Sequence, residues 1–422
     1  MMMMTQAKTG KEAWRRALQL KQAVVACFDS RSAEDPCPLE RFGEEDWRRI
    51  LFWLDISGLA LYLLDQVNYL GFQAYLPKPV EEQLQDRWRE NKARTSSLMR
   101  EAAIIATWFD QALIPYALLK GFSLAPDSVP DSTLRWQTDL DFLIPEKSWQ
   151  LASHYVRRLG YSLHADSGAT MEFRAGEVGA PDMAKLYKVH SHRSLELHIL
   201  SRHDSEQDLL TRATVRPVGR FSFASLSGPD ILVQQARHLL KHLCGEHTRM
   251  SWVLEFARHV ACRRDDSEFW AHVRSYAAEG DGNLAMAVSL WLAADIFGGV
   301  PEELCQEWFG EYLPKRVRLW LELYSRELLL SDSIGSKLYA ILRRELPITH
   351  AGSRSLRKIL LPTCLPARIT RTASGETLLS ALHRYGLEVM HFWSRLRFHV
   401  VEGLRFAVES TRWRRAVARV ED

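Results

Sequence analysis

Residues 118–145 read LLKGFSLAPDSVPDSTLRWQTDLDFLIP. Two short apolar runs frame this stretch, and a strand period fits them better than a helical one. The first, IPYALLKG (114–121), ends at Gly121, where a turn is expected. The second, LDFLIP (140–145), is entered through a pair of acids. Alternation along Asp139-Leu140-Asp141-Phe142-Leu143 sends both aspartates to one side of the strand, with Leu140 and Phe142 on the other. Two carboxylates held that close repel each other unless a cation neutralises them. Carboxylate oxygens suit Mg²⁺, and Mg²⁺ suits phosphate substrates.

Working outward from this stretch, EKSWQLASHYVRRLG (146–160) has the signals of a helix with Gly160 just past its end. YSLHAD (161–166), MEFRA (171–175), KLYKVHS (185–191) and SLELHIL (194–200) read as strands, the last two as a hairpin turning through His192 and Arg193. RPVGRFSFASL (216–226) adds one more. In Ser194-Leu195-Glu196-Leu197-His198, Glu196 and His198 share a face. If this strand lies beside the Asp139 strand, Glu196 completes a three-carboxylate cluster, able to hold two cations roughly 3.5–4 Å apart.

Both flanks of this region are helical in pattern. KEAWRRALQLKQAVVACF (11–28), the run 44–67 and the run 80–113 repeat apolar residues every three or four positions, with prolines at the breaks. From Ser227 the pattern is helical again, opening with Ser227, Pro229 and Asp230 as a start signal. The fold class expected is therefore α+β, a small mixed β-sheet core flanked by N-terminal and C-terminal helical regions. The divisions are 1–110, 111–226 and 227–422.

Composition narrows the function classes. A net charge of +3 over 422 residues gives no sign of a dedicated nucleic-acid binder. The six cysteines make no CxxC pair, which argues against a zinc ribbon and a disulfide framework and for reduced, mostly buried thiols in a cytoplasmic protein. The start MMMMTQAKTGKEAWRR has no apolar run suited to a signal peptide, and ILFWLDISGLALYLL (50–64) falls short of a span. No GxxxxGK[ST], GxSxG or kinase signature set is present. His238, His242 and Glu246 stand at i, i+4 steps, a spacing that can bind zinc but more simply packs a helix face against the sheet. The run HFWSRLRFHVVEGLRFAVESTRWRRAVARV (391–420) is basic and amphipathic, suited to an anionic membrane surface or nucleic acid, though such a helix more often docks its apolar face on its own protein.

A strand ending in Lys120-Gly121, then a helix, then Arg135-x-x-x-Asp139-Leu140-Asp141-Phe142-Leu143, then the later Glu196-Leu197-His198 strand, resembles the bacterial uncharacterised nucleotidyltransferase family of the polymerase-beta-like superfamily. The resemblance spans roughly residues 113–245. It implies metal-dependent transfer of a nucleoside monophosphate from an NTP, with ATP the first candidate, to an acceptor, using Mg²⁺ or Mn²⁺. Asp139, Asp141 and Glu196 match the catalytic and metal-ligand acids, and Gly121 matches the phosphate-loop glycine. Lys120 and Arg135 match recurrent basic positions; each could bind phosphate, and Arg135 could equally clamp an aspartate. Ser123 and His198 are assigned with them to the nucleotide. Phe122 and Trp136 depart from the pattern, Phe122 standing where it would crowd a phosphate. The acceptor, a small molecule or a protein with nucleic acid disfavoured, is set outside these motifs. An inactive nucleotide-binding scaffold and a nucleic-acid terminal transferase are the competing readings.

Overall fold

The structure, a computed structural model, describes residues 2–29, 37–176, 186–188, 193–201, 207–331, 335–346 and 377–421. Four helices lead the chain: α1 (Met2–Ala26), α2 (Glu44–Ser57), α3 (Ala60–Leu70) and α4 (Lys78–Gln111). The sheet unit follows, with β1 (Ala117–Leu119), β2 (Asp139–Pro145), α5 (Trp149–Arg158), β3 (Ser162–Asp166), β4 (Thr170–Ala175), β5 (Arg193–Leu200), β6 (Thr214–Val218) and β7 (Phe221–Ser225). Helices resume with α6 (Gly228–Leu243), α7 (Met250–Cys262), α8 (Ser267–Ala277), α9 (Gly282–Phe297), α10 (Glu302–Tyr312) and α11 (Lys315–Trp320). Then come α12 (Arg326–Leu329), α13 (Tyr339–Glu345) and α14 (Leu378–Glu421). The α+β class expected from the sequence is what is observed.

The strands form one seven-stranded mixed sheet in the order β3-β4-β5-β2-β1-β7-β6. β2 pairs parallel with β5 and antiparallel with β1. One face is apolar. Leu140, Phe142 and Ile144 of β2 and Leu195 and Leu197 of β5 pack there with Leu98, Ile105 and Phe109 of α4 and Val156 of α5. Phe109, Tyr116 and Phe142 meet at ring-centroid distances of 5.6–5.9 Å. Burying one such side chain contributes about 1.5–3 kcal/mol. Alternation leaves the opposite face of β2 and β5 for the acids.

The N- and C-terminal helices share a second core. Trp47, Trp53 and Leu63 from the first helices pack with Phe256, Leu290 and Trp320 from the later ones. α9 (GNLAMAVSLWLAADIF) is apolar on nearly all sides, as expected of a helix at the centre of such a core. α4 serves both cores: Val80 and Leu84 near its start belong to the helical one, Leu98 to Phe109 to the sheet.

Two expectations are corrected. Leu186–Lys188 form a turn rather than part of a strand, and Arg193, expected in the hairpin turn, begins β5; residues 185 and 189–192 lie outside the described ones. Tyr187 is buried because its hydroxyl donates to Asp55 of α2 at 3.0 Å, which draws this segment to the helices. β5 instead pairs antiparallel with β4. The cysteines are not mostly buried either: among the described residues Cys27 is buried, Cys37, Cys244 and Cys305 are half-buried, and Cys262 is exposed, all as free thiols.

Candidate active site

Register builds the site. In the parallel β2–β5 ladder Asp141 stands opposite Glu196, and Asp139 opposite Ser194. Because Leu140, Phe142, Leu195 and Leu197 are committed to the core, Asp141, Glu196 and His198 must share the other face. Their ligand atoms lie within 4.8 Å of one another. Asp139 stands outside that group; its Oδ1 accepts from Thr138 Oγ1 at 3.4 Å. Glu172 of β4 lies opposite Glu196 on the far side and is held by Arg174.

Lys120 follows β1 directly, and β1 pairs Leu119 with Asp141. Its Nζ donates to Asp141 Oδ1 at 2.8 Å and lies 3.8 Å from Glu196 Oε2. His198 Nε2 is 3.0 Å from the same Asp141 oxygen and 3.2 Å from Glu196 Oε2, while Nδ1 meets Thr170 Oγ1 at 3.4 Å. These contacts sort the charges. Burial pushes the Asp141 carboxyl up, but the Lys120 ammonium and the His198 hydrogen bond outweigh it and hold it well below the usual range. Burial lowers His198, yet its bonds to Asp141 and Glu196 leave it raised. Asp139 is raised by burial first and then by the negative charge of Asp141.

The chain leaves β1 through a tight turn in which Lys120 and Gly121 have φ of 51° and 44°. A Cβ on Gly121 would sit 2.7 Å from Gln137 Oε1, so this glycine serves a close approach as well as a positive φ. The expected helix after Gly121 is a single 3₁₀ turn, Gly121–Leu124. Ser123 is buried, and its hydroxyl donates to Lys120 O at 2.8 Å. Phe122 does not crowd the site. Its side chain is 3% exposed and lies in the sheet core.

Arg135 clamps no aspartate. Its Nε donates to both oxygens of Glu255 on α7, at 3.1 and 3.2 Å, and Glu255 also accepts from Tyr62 at 2.9 Å. Trp136 lies under the Arg249 guanidinium, 4.3 Å from its ring centroid, and donates to Leu186 O.

Lys120, Ser123, Arg135 and His198 form one wall of an open cleft of about 930 Å³ whose other wall is Gln235, His238 and Lys241 of α6 with Trp252 and Glu255 of α7. His238 meets His242 and Trp252 edge to face, and His242 meets Trp252 at a tilt, at centroid distances of 4.3–4.8 Å. Burial pushes His238 down to about 2 and His242 to about 4, so both imidazoles are neutral at pH 7. Glu246 does not join them; it lies beyond the end of α6 and pairs with Arg395 at 3.1 Å. Trp252 and Glu255 carried no signal in the sequence; the partners of Glu255, Tyr62 and Arg135, are 193 and 120 positions away along the chain.

The sequence profile described as "Uncharacterised nucleotidyltransferase" matches residues 43–298. The chain belongs to this family. The match runs from α2 through α9, well beyond residues 113–245, so the family takes in both walls of the cleft and the helices that brace them. No curated protein sequence matches the chain. Among solved structures, an antigenic nucleotidyltransferase-like protein from Paracoccidioides brasiliensis is similar over 52% of this chain and 98% of the other, at 12% identity and a TM-score of 0.31. Within the family frame, the donors Asp141, Glu196 and His198 supply two carboxylates and an imidazole. That set fits a divalent cation, Mn²⁺ more readily than Mg²⁺ because of the imidazole.

Proposed function

We propose that the chain transfers a nucleoside monophosphate from an NTP, ATP first among them, to an acceptor group, with the sheet unit of residues 111–226 as the catalytic unit. The observation that carries the reading is the parallel register of Asp141 with Glu196, both touched by Lys120 and His198, which line a cleft, with Asp139 two residues upstream on the same strand. Asp139, Asp141 and Glu196 would hold a divalent cation, Mg²⁺ or Mn²⁺, with His198 beside them. When bound, the cation supplies charge neutralisation at the triphosphate. Lys120 would bind phosphate oxygens once Asp141 is turned to the cation, and Gly121 and Ser123 keep the loop close to it. Arg135, fixed by Glu255, would add positive charge on the wall of the cleft that carries Lys120. Glu196, or Asp139, is the group suited to take the proton from the attacking hydroxyl. The helical wall of α6 and α7 would choose the acceptor, a small molecule or a protein; a cytoplasmic setting supplies NTP and keeps thiols reduced.

Incubation with α-labelled NTPs, Mg²⁺ or Mn²⁺ and cell extract tests this against the Asp139→Ala/Asp141→Ala double variant. Label transfer by the parent and not by the variant is expected; transfer that survives the double substitution means the acids are misassigned. One observation favours a second reading, an inactive nucleotide-binding scaffold: Lys120 and His198 already neutralise Asp141. Mg²⁺-ATP binding with no pyrophosphate release over any acceptor would decide for it. A terminal transferase is disfavoured by the net charge of +3, and salt-sensitive RNA or DNA binding would be needed to revive it.

A further inference from the structure

α14 packs on the body with its polar side. Glu388, Arg395, Glu402 and Glu409, spaced by seven, make one face of the helix. Arg395 pairs with Glu246, Glu402 accepts from Ser336 Oγ at 2.9 Å and from the Lys337 amide at 3.0 Å, and Glu409 accepts from Tyr324 at 3.3 Å. Phe406 and Trp413 are buried on this side. The opposite side is apolar and looks outward. Leu382, Val389, Trp393, Leu396, Val400 and Leu404 form a stripe at steps of seven, four, three, four and four residues, each between 40% and 67% exposed. An exposed apolar stripe along much of a 44-residue helix far exceeds the scattered apolar residues normal on a surface.

We infer that this outward face of α14 lies flat on an anionic lipid surface. Charge selects that occupant. On the outward side Arg397, Arg414 and Arg415 are exposed, whereas Glu402 and Glu409 are turned to the body. A second copy of the chain meeting this face would offer leucines but no described acid to pair with these arginines, because Glu402 and Glu409 face the body. A bilayer interface instead takes the leucines and valines into its acyl boundary and the guanidinium groups to its phosphates. Trp393 and Tyr385 suit the same boundary. The apolar stripe is also wider than a coiled-coil seam, since Met390 and Val401 flank it and are themselves exposed. Among the described residues no single helix is long and apolar enough to cross a membrane, so attachment through α14 is peripheral.

The test is sedimentation of the full chain with vesicles of phosphatidylcholine alone or with phosphatidylglycerol added, at low and high salt. Binding to the anionic vesicles is expected, weakened by salt. It should fall at least about tenfold in Val389→Glu/Trp393→Glu/Leu396→Glu and again in Arg414→Glu/Arg415→Glu. Both variants alter exposed side chains, so their melting temperatures should match the parent, and light scattering should find monomers throughout. Failure to bind anionic vesicles overturns the inference, as does binding that ignores both variants. A parent dimer that the apolar triple variant dissociates would also overturn it, giving the face to a second copy.

Discussion

One ammonium bridges two strands: Lys120 Nζ lies 2.8 Å from Asp141 Oδ1 and 3.8 Å from Glu196 Oε2. With His198 on the same oxygens, it neutralises acids that would otherwise repel. Lys120→Met should therefore lower stability without divalent cations by about 1–3 kcal/mol, less than for a fully buried pair because the lysine is 36% exposed. Mg²⁺ or Mn²⁺ should then stabilise the variant by about 1.4 kcal/mol at tenfold excess over its Kd, and the parent by less. A variant whose melting temperature ignores both ions would exclude cation binding by these acids.

The Arg135–Glu255 pair joins the strand unit to α7, with side chains only 13% and 3% exposed. Glu255→Gln leaves a buried guanidinium without its counter-charge. Urea unfolding should show a loss of about 3–5 kcal/mol. A loss under about 1 kcal/mol would mean that Arg135 is satisfied in some other way.

Gly121→Ala meets two obstacles, a positive φ and the Gln137 oxygen. A cost of about 1–3 kcal/mol is expected, in line with a strained backbone position. Adding Gln137→Ala should return part of it, since it removes the close contact but not the backbone strain. If the double variant is no more stable than the single one, the contact is unimportant.

His259 is fully buried, and burial pushes it down to about 3. Between that value and 6.5 the unfolded chain takes up a proton that the folded chain refuses, so stability falls as pH falls below 6.5. At pH 5 the loss from this residue is about 2 kcal/mol relative to pH 7 or above. His259→Gln should flatten that part of the pH dependence in denaturant titrations. An unchanged slope would assign the acid sensitivity to other groups.

How far the sequence could be read follows from the range of each interaction. Leu140 and Asp141 are neighbours whose alternation is local, so the two faces of β2 were legible. His198 and Asp141 are 57 positions apart, and only the parallel pairing of β2 with β5 makes them touch; the sequence offered that as a condition. Arg135 and Glu255 are 120 apart, with nothing local to link them. KLYKVHS misled because its alternation is genuine, but Tyr187 is held by a hydrogen bond 132 positions away. Phe122 misled for a related reason: the turn at Lys120 and Gly121 rotates the next side chain into the core.

α4 is a single helix of 34 residues, about 50 Å long, anchored at one end among the helices and at the other beneath the sheet. A rigid strut of that kind leaves no hinge between the leading helices and the strands. Cutting the chain near residue 110 to isolate the strands would strip them of the beam they rest on.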